Sequence, residues 1–267
     1  MSQRRSQRIP RVICSKLPAP QVPVQVDEEE AAHLQQALRV RPGDAVIAID
    51  GKGSEIPGQV FIREKKLWIE TQETKATRQI APSIETTPLI LEMAIIKGDA
   101  MSWVIEKAVE LGVQKIIPIE CDHGVVEVSK KGAEHFVERW QRIADQSLKQ
   151  CERPNRLTIE SPRSFGEALR LTGSTRLIAV EPSLELRNKD SKPPQTLPHA
   201  LGALAPSSAP IHLMIGPEGG FSAAEADAMR AEIAMGKAIP VSLGPLVLRA
   251  ETAAIFAMSV ALGARIS

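Results

Sequence analysis

The strongest constraint on this chain is a rhythm that begins at Leu89. Short, almost wholly apolar runs, Leu89–Ile95, Lys115–Ile119, Arg176–Val180, Ile211–Ile215 and Ile239–Leu243, alternate with amphipathic stretches. Strands read as continuous apolar runs when helices cover both faces of a parallel sheet. The pattern therefore predicts an α/β domain. Helices are expected at Ala100–Leu111, with Asp99 before it and Gly112 as its stop, and at Ala133–Gln150. On the second of these, Phe136, Trp140, Ile143, Ala144 and Leu148 share one face and read as core or subunit contact. Ser164 with Glu167, and Ser222 with Glu225, form capping boxes that open two more helices. The Pro- and Ser-rich stretch 183–209 predicts a surface loop with a short helical piece at His199–Leu204.

Ahead of this domain the chain reads as mostly β. Asp27 and Glu28-Glu29-Glu30 place a cap and negative charge at the start of a short helix, Ala31–Leu38, while Arg39, Arg41 and Pro42-Gly43 close it. Val46–Ile49, Gln59–Ile62 and Leu67–Ile69 read as strands around the turn-rich Asp50–Gly53. Short strands with one small helix predict a compact barrel over residues 1–82, followed by the α/β domain over 83–267.

Charge narrows the partners only a little. Lys and Arg (33) nearly balance Asp and Glu (32), so net charge offers no argument for nucleic acid. The first twenty residues, however, hold Arg4, Arg5, Arg8, Arg11 and Lys16 without an acidic residue, and such an arm can reach phosphates or simply stay solvated. Cys14, Cys121 and Cys151 are far apart, so neither a zinc site nor a disulfide framework is expected, and no metal is called for. With no apolar run long enough for a bilayer and no secretory-type apolar core at the amino terminus, a cytoplasmic protein without a membrane partner is expected.

The chemistry is expected at two glycine-rich turns. Met214-Ile215-Gly216-Pro217-Glu218-Gly219-Gly220-Phe221-Ser222 reads as strand, turn and capped helix start. In open parallel sheets ligands bind beyond the carboxyl ends of strands, and glycines let backbone N–H groups approach them. The turn lacks the lysine of a P-loop and the spacing of G-x-G-x-x-G, so phosphate binding is the weaker reading, and a tight connection with no ligand stands beside it. Val241–Leu248 repeats the strand and Gly-Pro pattern, followed by Arg249-Ala250-Glu251-Thr252 and an Ala-rich helix, Ala253–Leu262. Two such turns ending consecutive strands are expected to lie side by side and hold one ligand. Arg249 and Glu251 could carry chemistry there or pair only with each other.

These segments carry a resemblance. In order and spacing, Arg8–Arg11, His33–Asp44, Lys97–Met101, Ile105–Val113, Trp140–Ala144, Gln150–Pro154, Ile215–Gly220 and Leu243–Ala253 resemble the bacterial 16S ribosomal RNA uridine-N3 methyltransferases of the SPOUT superfamily. The resemblance covers nearly the whole chain. It implies an α/β fold in which an amino-terminal PUA-like β-barrel that binds RNA precedes a SPOUT-type methyltransferase domain with a deep trefoil knot. It also implies S-adenosyl-L-methionine as methyl donor, 16S rRNA or the small ribosomal subunit as substrate, and a homodimer.

Carried over by position, the cofactor-binding residues are Ile215, Gly216, Pro217, Glu218, Gly219, Gly220, Leu243, Gly244, Leu246, Leu248, Thr252 and Ala253. Glu181 falls in a third loop of the knotted region. Arg249 and Glu251 become the candidates for catalysis, and Arg8, Arg11, Arg39 and Arg41 those for RNA contact. The chain departs from the family at Ala250, where Thr is usual, and at Glu152-Arg153, where Gly-Arg is common. Around Cys121-Asp122-His123 an expected basic residue is not evident, although Lys130 and Lys131 follow. Alternative readings are a SPOUT enzyme acting on tRNA or a ribose 2′-hydroxyl, and a non-catalytic RNA-binding assembly factor, which would need no glycine-rich cleft.

Overall fold

A computed structural model describes residues 9–75, 78–79, 88–126, 128, 132–171, 175–181, 193–204 and 209–266. Arg8, Lys130, Lys131 and most of the 183–209 stretch lie outside the described residues. The chain divides into two compact units, residues 1–81 with 145–156, and residues 82–144 with 157–267.

The first unit is built on a six-stranded sheet. Its strands are β1 (Arg11–Ile13), β2 (Val24–Gln25), β3 (Ala45–Ile49), β4 (Ser54–Arg63), β5 (Lys66–Glu70) and β6 (Arg78–Gln79), in the order β1-β3-β4-β5-β2 with β6 beside β4. β1 runs parallel to β3, and the other pairs are antiparallel. One face is apolar at alternate positions, so Val12, Val46, Ala48, Val60, Leu67 and Ile69 meet Leu34 of helix α1 (Glu28–Gln36) in one core. α1 begins three residues earlier than its apolar pattern alone suggests, because Glu28, Glu29 and Glu30 form its first turn. There carboxylates favour the helix dipole even though Asp27 makes no side-chain cap bond.

Arg11 does not belong to a solvent-facing arm. It is 7% exposed and its Nη1 donates to Glu55 at 2.5 Å, with Glu152 3.7 Å from Nη2. Burial of a charge this deep requires a partner, and the partner removes Arg11 from the RNA-contact candidates. Residues 145–156 join this unit through Lys149, which bonds both carboxylate oxygens of Glu30, and through backbone bonds of Arg156 to Gly51 and of Gly53 to Pro154.

The second unit is an eight-stranded sheet whose hydrogen-bonded neighbours are all parallel. Its strands are β7 (Leu89–Ala94), β8 (Lys115–Glu120), β9 (Thr158–Ile159), β10 (Arg163–Ser164), β11 (Thr175–Ala179), β12 (Gln195–Thr196), β13 (Ile211–Ile215) and β14 (Ala238–Ser242). They run β10-β8-β7-β13-β11-β14-β12, with β9 beside β8. The helices are α2 (Gly98–Glu110), α3 (Ala133–Cys151), whose residues from Asp145 onward belong to the first unit, α4 (Phe165–Leu169), α5 (Leu197–Gly202), α6 (Ala223–Ala234) and α7 (Ala250–Ile266). Every residue of β7 and β13 is buried, as central strands covered on both faces must be. Both capping boxes form, with Ser164 and Ser222 accepting from the backbone N–H of Glu167 and Glu225. Asp99 lies inside the first turn of α2 instead of before it. No helix among the described residues is long and apolar enough to cross a membrane.

One charged or imidazole side chain interrupts each of three central strands, and the three meet. Glu92 of β7 is fully buried and takes bonds from Arg176 of β11 at 2.9 and 3.1 Å. His212 Nδ1 of β13 lies 2.5 Å from the same carboxylate and must carry the proton that joins them. Arg176 also donates to the carbonyls of Ala168, Leu169 and Leu171, capping the negative end of α4. A lone charge would not survive here; the cluster is saturated.

Candidate active site

The two Gly-Pro turns do not end neighbouring strands. β11 lies between β13 and β14, because the chain crosses over it when passing from one to the other. The gap between the turns is therefore filled by the end of β11, and one cleft of about 230 Å³ collects all three strand ends. From β11 come Ala179, Val180 and Glu181; from β13 come Ile215, Gly216, Pro217, Glu218, Gly220 and Phe221; from the end of β14 come Leu243, Gly244 and Leu246 to Ala250. Ala253 of α7 completes the wall.

Most of the residues expected to hold a cofactor thus share one cavity, and Arg249 shares it with them. Gly219, Thr252 and Glu251 are not among the lining residues. Arg249 is exposed, and neither it nor Glu251 makes an ion pair among the described residues, so mutual pairing is not what holds them. Glu251 lies in the first turn of α7, where its charge suits the helix dipole.

The first turn is fixed from several directions. The Phe221 ring lies 2.8 Å from where a Cβ on Gly216 would be, so any other residue there must displace the ring. Gly220 N–H donates to Pro217 O at 2.9 Å. His123, in the loop after β8, places Nδ1 at 3.1 and 3.2 Å from the carbonyl oxygens of Gly219 and Gly220. Both partners are acceptors, so Nδ1 carries the proton. Next to it, Asp122 accepts from Ser222 Oγ at 2.5 Å, and Glu225 accepts from the Asp122 N–H at 2.9 Å. Composition does not advertise this loop; its only sequence signal is the adjacency of Asp122 and His123.

Thiol chemistry is not part of the site. Burial, then Glu225 and Asp122, push the Cys121 thiol well above its ordinary range. Cys14 is pushed up to about 12, again by burial first and then by Glu30 and Asp27. Both stay neutral and unreactive near pH 7. Among the described residues no group of three or more His, Cys, Asp or Glu could hold a metal.

A parallel α/β domain with its cleft at the carboxyl ends of three adjacent strands, joined to a small β unit, defines a ligand-binding enzyme architecture. Comparison with known proteins gives the class. Residues 84–262 match the RNA methyltransferase domain family, and residues 26–71 match the RNA methyltransferase PUA domain. The chain belongs to this family of RNA methyltransferases. Among its relatives is "Ribosomal RNA small subunit methyltransferase E" of Bacillus subtilis, 26% identical over 234 residues and covering 86% of each chain. A solved structure of the same-named enzyme from Neisseria gonorrhoeae, bound to S-adenosyl methionine, superimposes with a TM-score of 0.73 at 27% identity, covering 94% of this chain and 96% of that one. The methyltransferase Lpg2936 from Legionella pneumophila, in complex with bound SAM, gives a TM-score of 0.77 at 26% identity, covering 96% and 98%.

Proposed function

We propose that this chain is an S-adenosylmethionine-dependent methyltransferase of uridine N3 in 16S ribosomal RNA, acting in the cytoplasm as a homodimer. The observation that carries the reading is the single cleft formed by the three strand ends, with Arg249 at its edge. In this reading residues 1–82 are a PUA-like RNA-binding barrel, and residues 83–267 a SPOUT domain whose knot brings the three loops together.

The residues present fit the cofactor. Gly244, at φ +129°, has no atom within 4 Å of where a Cβ would sit, so its backbone faces open space. Leu246 and Val247 line the cleft yet are 71% and 64% exposed, which leaves an apolar surface for a nucleobase to cover. Glu181 and Glu218 bring carboxylates to the same cavity, suited to ribose hydroxyls and an amino group. When bound, S-adenosylmethionine supplies an electrophilic methyl group on a positively charged sulfur.

The chain's own work is to hold the uracil N3 in line with that methyl and to ease the loss of its proton. Arg249 can stabilise the negative charge that develops on the oxygens beside N3. Glu251 stands outside the cleft lining, so direct proton transfer to it gains no support; its part is to balance charge beside Arg249. α2 and α7 pack on each other, and each leaves a large aromatic exposed, Trp103 at 46% and Phe256 at 41%. Such exposed apolar surface favours a subunit interface.

The test is mass spectrometry of nucleosides from small-subunit RNA after incubation with protein and cofactor. N3-methyluridine is expected. Methylation at a ribose hydroxyl, or of tRNA alone, would move the chain to another SPOUT activity. Arg249→Ala is expected to slow methylation by about 10²–10³-fold with cofactor binding unchanged; a wild-type rate would remove Arg249 from the mechanism.

A further inference from the structure

Arg11 is buried, whereas the candidates Arg39 and Arg41 are exposed just after α1; the β4–β5 hairpin presents a further surface on which the first unit could meet RNA. Phe61 and Trp68 are direct cross-strand partners, half-buried, with ring centroids 6.4 Å apart and planes 28° from parallel. Their side chains stand on the face opposite the core, since Val60, Leu67 and Ile69 point the other way. The next pair on that face is Arg63 opposite Lys66, both exposed. Two cations directly opposed on a sheet repel, so the pair lowers stability unless an anion sits between them. The Arg63 guanidinium carbon lies 5.9 Å over the Trp68 ring, with Glu64 at 3.9 Å as a weak exposed partner.

The hairpin tip sharpens the case. Glu64 and Lys65 form the two-residue turn with φ of +52° and +62°. A turn of this kind normally uses Asn-Gly, because both central residues need positive φ. Here the strained positions hold charged side chains, which costs stability and places Lys65 next to the Arg63–Lys66 pair. On the far side of Trp68, the exposed Gln25 of β2 sits opposite it and offers an amide. The Trp68 indole Nε1 is shielded and has no acceptor among the described residues.

We infer that the outer face of the β4–β5 hairpin binds single-stranded RNA, with an unpaired base stacked on the Phe61–Trp68–Arg63 surface and flanking phosphates held by Arg63, Lys65 and Lys66. Aromatic rings with guanidinium planes stack unpaired bases, and the adjoining cations neutralise the backbone between them. Glu70 on the same face ends the cationic stretch at one side. The inference rests on the RNA methyltransferase reading but adds a place and an RNA form that the reading does not require.

The test uses the full chain, a fluorescein-labelled oligouridine and a labelled RNA duplex, with anisotropy followed over a range of salt. Trp68→Ala is expected to weaken oligouridine binding by roughly 5-fold to 100-fold, with Trp68→Phe restoring most of the loss. Arg63→Gln with Lys66→Gln is expected to lower the salt slope by about 0.7 for each phosphate that is no longer neutralised. These two side chains are exposed, so this variant tests the surface even if Trp68→Ala fails to fold. Unchanged affinity and slope in the Gln variant would overturn the inference, as would tighter binding of duplex than of oligouridine. A change of oligomeric state in place of RNA affinity would also overturn it, by assigning the face to a subunit interface. Calorimetry with S-adenosylmethionine on the same samples separates the two readings. Cofactor binding with no hairpin effect sinks only this inference, whereas absence of both cofactor and RNA binding sinks the wider one.

Discussion

The two Gly-Pro turns end strands of one sheet and line one cleft, but they are held in opposite ways. The turn at Gly216–Gly220 is pinned by the Phe221 ring, by the His123 imidazole and by the Ser222–Glu225 capping box. Its strand also carries His212, tied to Glu92 and, through it, to Arg176 on β11. The turn at Leu243–Arg249 has only Ser242 Oγ bonded to Gly244 N and O among the described side chains, and it leaves Leu246 and Val247 exposed. A cleft with one preorganised wall and one unsupported wall can bind a ligand by closing the second over the first. The difference also explains why the same dipeptide serves twice. At Gly216 the glycine is favoured by a neighbour, and at Gly244 by its own backbone angle.

Breaking the pinned wall at its base should have the largest effect. Glu92→Ala leaves Arg176 buried without its carboxylate, and a loss of about 3–5 kcal/mol is expected in chemical denaturation. Next comes Gly216→Ala, whose Cβ would lie 2.8 Å from the Phe221 ring. We expect cofactor affinity by calorimetry to fall about 10-fold or more, equivalent to roughly 1.4 kcal/mol, and to recover partly when Phe221→Leu is added. Gly244→Ala meets no neighbour, so its cost is backbone strain alone, about 1–3 kcal/mol of stability shared with the unsupported loop. No rescue by a second substitution is expected there, and finding one would erase the contrast between the walls.

His123→Ala should be milder. It removes one shared hydrogen bond, so a loss of about 1 kcal/mol is expected in thermal denaturation, with His123→Asn retaining part of it as a donor. A last effect is confined to alkaline pH. The folded-state thiols of Cys14 and Cys121 titrate above their unfolded value of 9.0, so their contribution is intact below pH 9 and fades as pH rises from there. Stability measured between pH 8 and 10 should fall, and the fall should lessen in Cys14→Ala.

Much of the second unit could be read directly from residue order. Expected and observed strands agree to within about a residue at Leu89–Ala94, Lys115–Glu120, Thr175–Ala179, Ile211–Ile215 and Ala238–Ser242, because a buried parallel strand is a local signal. The strands of two or three residues, β1, β2, β6, β9, β10 and β12, were not legible, since so short a run has no period. Sheet order was not legible either, which is why β11 between the turns was not foreseen. The buried cluster did leave a trace, one charged or imidazole residue in each of three apolar runs, Glu92, Arg176 and His212. Only the fold shows that they meet. Arg11 was misleading for the converse reason, because its burial depends on Glu55, forty-four residues away.

Residues 145–156 have a consequence for how this protein is made. They complete the first unit, with Lys149 on Glu30 and Arg156 on Gly51, yet they leave the ribosome only after β7, α2 and β8 of the second. The amino-terminal unit therefore cannot finish folding when its own sheet has been synthesised, and a polypeptide ending near residue 82 would lack those partners. The two halves of this chain are coupled in birth order, and neither can be transplanted intact by a single cut.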